Sequence, residues 1–179
     1  MPSPPFIADR PIALVGLMGA GKSTIGRRLA RRLDLPFADA DDEIERAAGL
    51  TVAEIFERFG EAHFRDGERR VLARLAQGPP QVIATGGGAF VNDETRALIL
   101  ERCVAIWLDA AIGTLAKRVG RKDHRPLLKD KDPHEVLAAL AAERNPRYAE
   151  AHLAVRSDGA PAEAAVDRIL EALAGWRPA

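Results

Sequence analysis

The stretch GLMGAGKS, residues 16–23, constrains this chain more than any other part of its sequence. It fits the pattern G-x-x-x-x-G-K-[ST], and it stands between an apolar run and an amphipathic segment in which Ile25, Leu29 and Leu33 recur every four residues. That order of strand, loop and helix is the context a phosphate-binding loop requires. The glycines let backbone amides turn towards phosphate oxygens, and the helix adds its positive N-terminal end. The stretch therefore predicts a nucleotide site.

Each residue type in the loop has an expected task. We expect Lys22 to reach the β- and γ-phosphates, Ser23 to offer its hydroxyl to Mg²⁺, and Thr24 to bond the phosphates where the helix begins. The nucleotide-binding residues predicted in the loop are Gly16, Gly19, Ala20, Gly21, Lys22, Ser23 and Thr24.

The rest of the chain repeats the alternation of strand and helix, which predicts an α/β fold with a parallel sheet. Candidate strands cover residues 12–16, 36–39, 81–85, 104–109 and 153–156. Thr51 and Glu54 have the spacing of a capping box ahead of a helix, and Gly60 is placed to end that helix. With 179 residues we expect one domain, 1–179, with a loose proline-rich tail at 1–10.

Composition excludes several classes of protein. The formal net charge is zero, so the chain lacks the basic footprint of a nucleic-acid or membrane-surface binder. The single cysteine, Cys103, begins the apolar run CVAIWL and is expected to be buried. We see no leader or membrane-length apolar run and expect a cytoplasmic protein. The four histidines show no metal-ligand spacing.

Acidic and basic residues outside the loop give hints about the phosphoryl acceptor. Asp39 and Asp41 stand two residues apart at the end of the second candidate strand, so their side chains share a face. One can bind Mg²⁺ and the other can hold an acceptor hydroxyl. The alternative is an acidic turn that caps the next helix. Arg65, Arg125 and Arg144 lie far from the loop, and two of them together would bind an anionic acceptor.

Two further segments break the regular pattern. Three glycines, Gly86, Gly87 and Gly88, follow the third candidate strand and mark either a tight turn or a place where a ligand touches bare backbone. The charged stretch GRKDHRPLLKDKDP, residues 120–133, is too long for a simple connection and suits a lid or a disordered insert, of which we expect a lid. These features leave GTPases, ATPases and small-molecule kinases open.

Taken together, the segments GLMGAGKST, FADADDEIE, IFERFGEAHFRDGE, TGGGA, RPLL and ERNPRY resemble the shikimate kinase family in order and spacing, from about Ile12 to the last helix. The resemblance implies a three-layer P-loop kinase fold: a five-stranded parallel sheet flanked by helices, a lid at 119–133 and a helical substrate-binding region at 42–76. It also implies transfer of the γ-phosphoryl group of ATP to the 3-hydroxyl of shikimate, with Mg²⁺ as cofactor, in aromatic amino-acid biosynthesis.

The resemblance also assigns roles to particular residues. The catalytic residues it implies are Lys22, Asp41 and Arg125. The substrate-binding residues are Asp41 for the hydroxyls, Arg65 and Arg144 for the carboxylate, and Gly86, Gly87 and Gly88 beneath the ring. Ser23 and Asp39 would bind the metal, Arg118 would stack on adenine, and Arg125 would close over the phosphates. Glu68 would support the arginines, and Phe56 and Phe64 would wall the pocket.

Two alternatives and one departure accompany this interpretation. A gluconate or nucleoside-monophosphate kinase shares the loop and the lid, and a non-catalytic nucleotide-binding module shares the fold; a GTPase is disfavoured because no NKxD-like segment is present. Before the last helix the chain has SDGAP, residues 157–161, where some family members carry a basic residue, so we expect backbone groups to contact the base there. We expect a monomer.

Overall fold

A computed structural model describes residues 8–120, 128, 130–157 and 161–179 of the chain. Its centre is a five-stranded sheet in which neighbouring strands pair in parallel and the strand order is β2-β3-β1-β4-β5. The strands are β1 (Ile12–Val15), β2 (Phe37–Asp39), β3 (Val82–Ala84), β4 (Val104–Asp109) and β5 (Leu153–Arg156). The predicted parallel sheet and its five strands are confirmed, each within two residues at either end.

Helices flank this sheet, as the fold prediction required. They are α1 (Lys22–Leu33), α2 (Ala40–Ala48), α3 (Val52–Ala76), α4 (Asp93–Arg102), α5 (Ile112–Val119), α6 (Pro133–Tyr148) and α7 (Ala162–Gly175), with a 3-10 helix at Ala89–Val91. Neighbouring helices pack in pairs, α1 with α7, α2 with α3, α3 with α4 and α5 with α6. None of the helices in these described ranges is long and apolar enough to cross a membrane.

Helix α3 contains the predicted interruption. Thr51 Oγ1 accepts from the Glu54 amide, and the Glu54 carboxylate accepts from the Thr51 amide, which is the capping box read from the sequence. At Gly60 the backbone has φ 82° and ψ 173°, so the helix breaks there before it continues to Ala76. A side chain would be strained at that φ, which explains why glycine stands at the break.

The strand order decides where a ligand site can form. Strand β1 is fully buried at the centre, between β3 and β4, and its register pairs Ile12 with Val82 on one side and Val104 on the other. Because the chain leaves β1 to build the sheet in both directions, the carboxyl ends of β1, β3 and β2 lie side by side at the switch point. The phosphate loop, the glycine triplet and the aspartates follow those three ends.

The amino ends of the strands carry structural contacts. Cys103 is buried, and burial raises the pKa of its thiol to about 12, so the predicted structural role is supported by both observations. The Arg10 guanidinium lies over the Trp176 ring at 5.9 Å, so the last residue of the predicted tail is packed against the C-terminal segment, whereas residues 1–7 lie outside the described residues.

Candidate active site

The phosphate loop has the backbone shape that its glycines predicted. Gly16 has φ 143°, and a Cβ there would stand 2.7 Å from the Leu108 carbonyl oxygen on β4, so only glycine fits against that strand. Gly21 is the N-cap of α1, whose first turn starts at Lys22. The Lys22 Nζ atom donates to the carbonyl oxygens of Gly16 at 2.6 Å and Leu17 at 3.0 Å, which holds the ammonium group over the loop.

Ser23 and Asp39 meet beside the loop. Ser23 Oγ donates to Asp39 Oδ2 at 2.6 Å, although 16 residues separate them in the chain. The other oxygen, Oδ1, caps α2 by accepting from the amides of Asp41 at 3.0 Å and Asp42 at 3.4 Å. A hydroxyl and a carboxylate oxygen in contact are the hard oxygen donors that Mg²⁺ prefers, so the two predicted metal residues fit that ion.

The first glycine of the triplet lies against two carboxylates. A Cβ on Gly86 would stand 2.9 Å from Glu68 Oε2 and 3.1 Å from Asp41 Oδ1. None of the three glycines has a φ in the left-handed region, so backbone freedom is not the reason for the triplet. Its reason at Gly86 is the close approach of side chains from α2 and α3.

The second and third glycines lie against the two arginines that are predicted to bind the acceptor carboxylate. A Cβ on Gly87 would stand 3.3 Å from Arg144 Nη1, and a Cβ on Gly88 would stand 2.5 Å from Arg65 Nη2. The structure therefore brings Arg65 from α3 and Arg144 from α6 to the same three residues as Asp41. Two guanidinium groups and a carboxylate at one backbone surface suit an acceptor that carries both an anion and a hydroxyl.

Glu68 holds one of these arginines from inside the protein. Its side chain is 2% exposed, and Oε1 accepts from Arg65 Nη1 at 2.9 Å. The other oxygen, Oε2, is buried without a hydrogen-bond partner in the described part of the chain and faces Gly86. Burial raises the pKa of Glu68, and the positive charge of Arg65 opposes that rise. Glu68 thus has the place that the family resemblance implied for it.

Arg118 lies at the other end of the site. Its guanidinium donates to the carbonyl oxygens of Gly19 at 3.0 Å and Ser157 at 2.8 Å, which ties the end of α5 to the phosphate loop and to the segment that follows β5. The segment after β5 is the stretch 157–161, of which residues 158–160 lie outside the described residues. Arg118 therefore borders the region predicted for the nucleotide base.

One cleft connects the two ends. It has a volume of about 420 Å³ and a size typical of small-ligand sites. Its walls include Lys22, Ser23, Thr24, Asp39, Asp41, Gly86, Gly87 and Arg118. Gly88, the third glycine of the triplet, does not line this volume, and Arg65 and Arg144 approach the triplet from outside it. The cleft therefore spans the residues predicted to bind metal and nucleotide together with Gly86 and Gly87, and it ends before the two arginines predicted to bind the acceptor carboxylate.

Some predicted residues stand apart from this geometry. Arg125 lies outside the described residues, as do the other residues from 121 to 127 and residue 129 of the predicted lid. Phe56 and Phe64 contact each other with ring centroids 4.7 Å apart, and the Arg65 guanidinium lies 5.2 Å from the Phe64 ring centre. Phe64 is buried and Phe56 is partly buried in the same core cluster, so packing accounts for both.

Two residues that sequence reasoning missed hold the triplet in place. Tyr148 is fully buried on α6, and its hydroxyl donates to the Gly87 carbonyl oxygen. Arg96 on α4 donates to the carbonyl oxygens of Phe90 at 3.3 Å and Val91 at 3.1 Å, just beyond the triplet. Tyr148 could have been found from the sequence, because it follows Arg144 by four residues in ERNPRY and so lies on the same helix face. No feature of the sequence points to Arg96.

Comparisons with known proteins agree on one family. The family model described as shikimate kinase matches residues 18–174. The shikimate kinase of Caulobacter vibrioides is 60% identical over 162 residues, which cover 90% of this chain and 81% of that protein. The structure of shikimate kinase from Acinetobacter baumannii in complex with shikimate superposes with a TM-score of 0.90 and 38% identity, and covers 96% of this chain and 97% of that one.

A more distant structural neighbour shares only the fold. A gluconokinase from Sinorhizobium meliloti has a TM-score of 0.60 and 20% identity, over 93% of this chain and 92% of that one. Both neighbours agree with the predicted P-loop kinase architecture.

Proposed function

The chain belongs to the shikimate kinase family, and from this premise we propose how its residues transfer the γ-phosphoryl group of ATP to the 3-hydroxyl of shikimate, giving shikimate 3-phosphate and ADP. The observation that carries the proposal is the convergence of Asp41, Arg65 and Arg144 on the glycine triplet. Shikimate offers a carboxylate and ring hydroxyls, which are the groups that two guanidiniums and a carboxylate recognise.

The acceptor is bound by a clamp, by which we mean Arg65, Arg144 and the triplet Gly86–Gly88. Arg65 and Arg144 take the carboxylate of shikimate, and Asp41 orients the attacking hydroxyl and accepts its proton. The absence of Cβ atoms supports this arrangement, because a side chain at Gly88 would displace Arg65 and one at Gly87 would crowd Arg144. Glu68 fixes Arg65 through the 2.9 Å hydrogen bond, so the guanidinium needs no reorganisation when the acceptor binds.

The nucleotide is bound by the phosphate loop and α1. The loop amides between Gly16 and Ser23 and the hydroxyl of Thr24 contact the phosphates, and Lys22 neutralises their charge. Arg118 stacks on adenine beside the Ser157 segment. Ser23 and Asp39 would hold Mg²⁺, which supplies positive charge that stabilises the phosphoryl group during transfer.

The lid residue Arg125 completes the site. We propose that it closes over the phosphates and donates hydrogen bonds to the charge that develops during transfer. Closure of a lid also excludes water, which would otherwise compete with shikimate as the acceptor and consume ATP. Because phosphoryl transfer needs little covalent chemistry from the protein, positioning and charge neutralisation account for all the roles named here.

We also propose that the enzyme acts as a monomer in the cytoplasm. One chain supplies every residue named above, and its single cysteine is buried, so no role for a disulfide arises.

The experiment that tests the proposal compares acceptors. ADP release is measured with Mg-ATP and shikimate, beside gluconate, nucleoside monophosphates and a blank without acceptor. Gluconate is the sharpest comparison because it carries a carboxylate and hydroxyls on an open chain, so a clamp for a carboxylate alone would accept it. Turnover with shikimate alone is the expected result, whereas turnover with gluconate at a similar kcat/KM would contradict the proposed acceptor.

A further inference from the structure

The side chain of Tyr148 is packed tightly in the core of the protein. Its side chain has no exposed surface, and its ring packs beside Phe90, with centroids 6.4 Å apart, and Trp107, with centroids 6.1 Å apart. Close packing of a buried ring against two other rings restricts its rotamer. The position of the Tyr148 hydroxyl is therefore set by the core and not by the ligand.

That hydroxyl fixes one peptide of the glycine triplet. It donates a hydrogen bond to the carbonyl oxygen of Gly87. Because a trans peptide unit is planar, the direction of this carbonyl also fixes the direction of the Gly88 amide N–H, which points the opposite way, away from Tyr148. Glycine has no side chain to restrict its backbone, so a flanking hydrogen bond has more to contribute here than in an ordinary loop.

The same hydroxyl is adjacent to a clamp arginine. Arg144 precedes Tyr148 by one helical turn on α6, and its Nη1 atom lies 3.3 Å from the point where a Cβ on Gly87 would stand. Burial raises the pKa of Tyr148 to about 12, while the charge of Arg144 and a hydrogen bond from it act in the lowering direction. The hydroxyl thus stays protonated at neutral pH and donates to Gly87 beside the Arg144 side chain.

We propose that Tyr148 is a positioning residue for the acceptor: it fixes the Arg144 guanidinium and the Gly87–Gly88 peptide relative to each other, so that the carboxylate of the acceptor meets a preformed clamp. The inference rests on the proposed function of the clamp. It differs from a purely structural role because it acts on acceptor binding and leaves the nucleotide half of the cleft unchanged.

The variant Tyr148→Phe tests this, because it keeps the ring and removes only the hydroxyl. We expect the KM for shikimate to rise about five- to tenfold, the size of effect that losing one buried hydrogen bond produces. The kcat and the KM for ATP stay within about twofold, since no transition-state contact is lost. His152→Ala is the matched control, because it removes the half-buried side chain that accepts from the buried Ala105 amide at the opposite end of the sheet. It should lower Tm without raising the KM for shikimate.

A double-mutant cycle with Arg144→Ala separates positioning from a general loss of order. If Tyr148 acts through Arg144, the Tyr148→Phe change should add little to the shikimate KM once Arg144 is gone. Equal factors in the two backgrounds, an unchanged KM in Tyr148→Phe, or a fall in kcat matching the loss in kcat/KM would each overturn the inference. Failure of the proposed function itself is distinguishable, since the wild-type enzyme would then show no turnover with shikimate.

Discussion

The Nη2 atom of Arg65 lies 2.5 Å from the point where a Cβ on Gly88 would stand. The arginine can hold this position only because Gly88 has no side chain. Gly88 has φ −94° and ψ −8°, a conformation open to any residue. The requirement for glycine here comes from the clamp and not from the backbone.

This relationship predicts the effect of Gly88→Ala. The guanidinium is the far end of a flexible side chain, so it moves aside while the fold persists, and we expect the KM for shikimate to rise about tenfold or more with Tm changed by only a few degrees. Gly113→Ala on α5 is the control, because a Cβ there would meet nothing within 4 Å. A large loss of stability without a change in the shikimate KM would show that the triplet serves folding instead.

The contact between Ser23 and Asp39 predicts how the enzyme responds to Mg²⁺. Asp39→Asn keeps an oxygen that can cap α2 but removes the negative charge, so the Mg²⁺ concentration that gives half of the maximal rate should rise about tenfold or more while Tm stays similar. Calorimetric titration of Mg²⁺ into the enzyme with ADP provides a readout independent of turnover. An unchanged Mg²⁺ requirement would remove Asp39 from the metal site.

The proposed lid residue gives a different kinetic signature. Arg125→Ala should lower kcat by about a hundred- to a thousandfold, the range found when a donor to the transition state is lost, with a much smaller change in the KM for shikimate. Arg121→Ala removes the same charge from the same loop and serves as the control. Equal effects of the two changes would point to loop charge in general and would contradict the specific role of Arg125.

His152 predicts part of the pH dependence of stability. Its Nδ1 atom accepts from the Ala105 amide at 2.9 Å, and burial, helped by the charge of Arg10, lowers the pKa of His152 below its ordinary value. Below a pH of about 6.5 the unfolded chain takes up a proton that the folded chain resists, so stability falls as the pH falls.

The corresponding measurement is the Tm between pH 7 and pH 5. His152→Ala should have a lower Tm at pH 7 than wild type but a smaller fall towards pH 5. Parallel curves for wild type and His152→Ala would show that His152 does not contribute to the acid sensitivity.

Much of the fold follows from local sequence. Three features depend on only a few neighbouring residues each, and the structure has all of them: the glycine pattern of the phosphate loop, the capping box at Thr51 and the helix break at Gly60. The strands were equally readable because each is a short apolar run with a glycine, an aspartate or a helical segment after it. Parallel strand order then brings their carboxyl ends together, which explains why Ser23 and Asp39 lie in contact; their binding of Mg²⁺ stays a prediction.

The reason for the glycine triplet was not readable from the sequence. It depends on side chains from α2, α3 and α6, which approach the same backbone from positions far apart in the chain. The periodicity of apolar residues predicts the helices, but it does not show which of their side chains contact a neighbouring loop. Arg96 illustrates the limit, because an arginine on a charged helix gives no sign that it will be buried against the carbonyls of Phe90 and Val91.

The most direct test of the account compares shikimate with its methyl ester, in which the carboxylate charge is removed and the hydroxyls remain. If Arg65 and Arg144 form a carboxylate clamp at the triplet, the wild-type kcat/KM should fall about a hundredfold for the ester, and this ratio should shrink to about threefold or less in the variant with both arginines changed to alanine. A wild-type enzyme that uses the two acceptors equally well, or a ratio that persists without the arginines, would contradict the clamp.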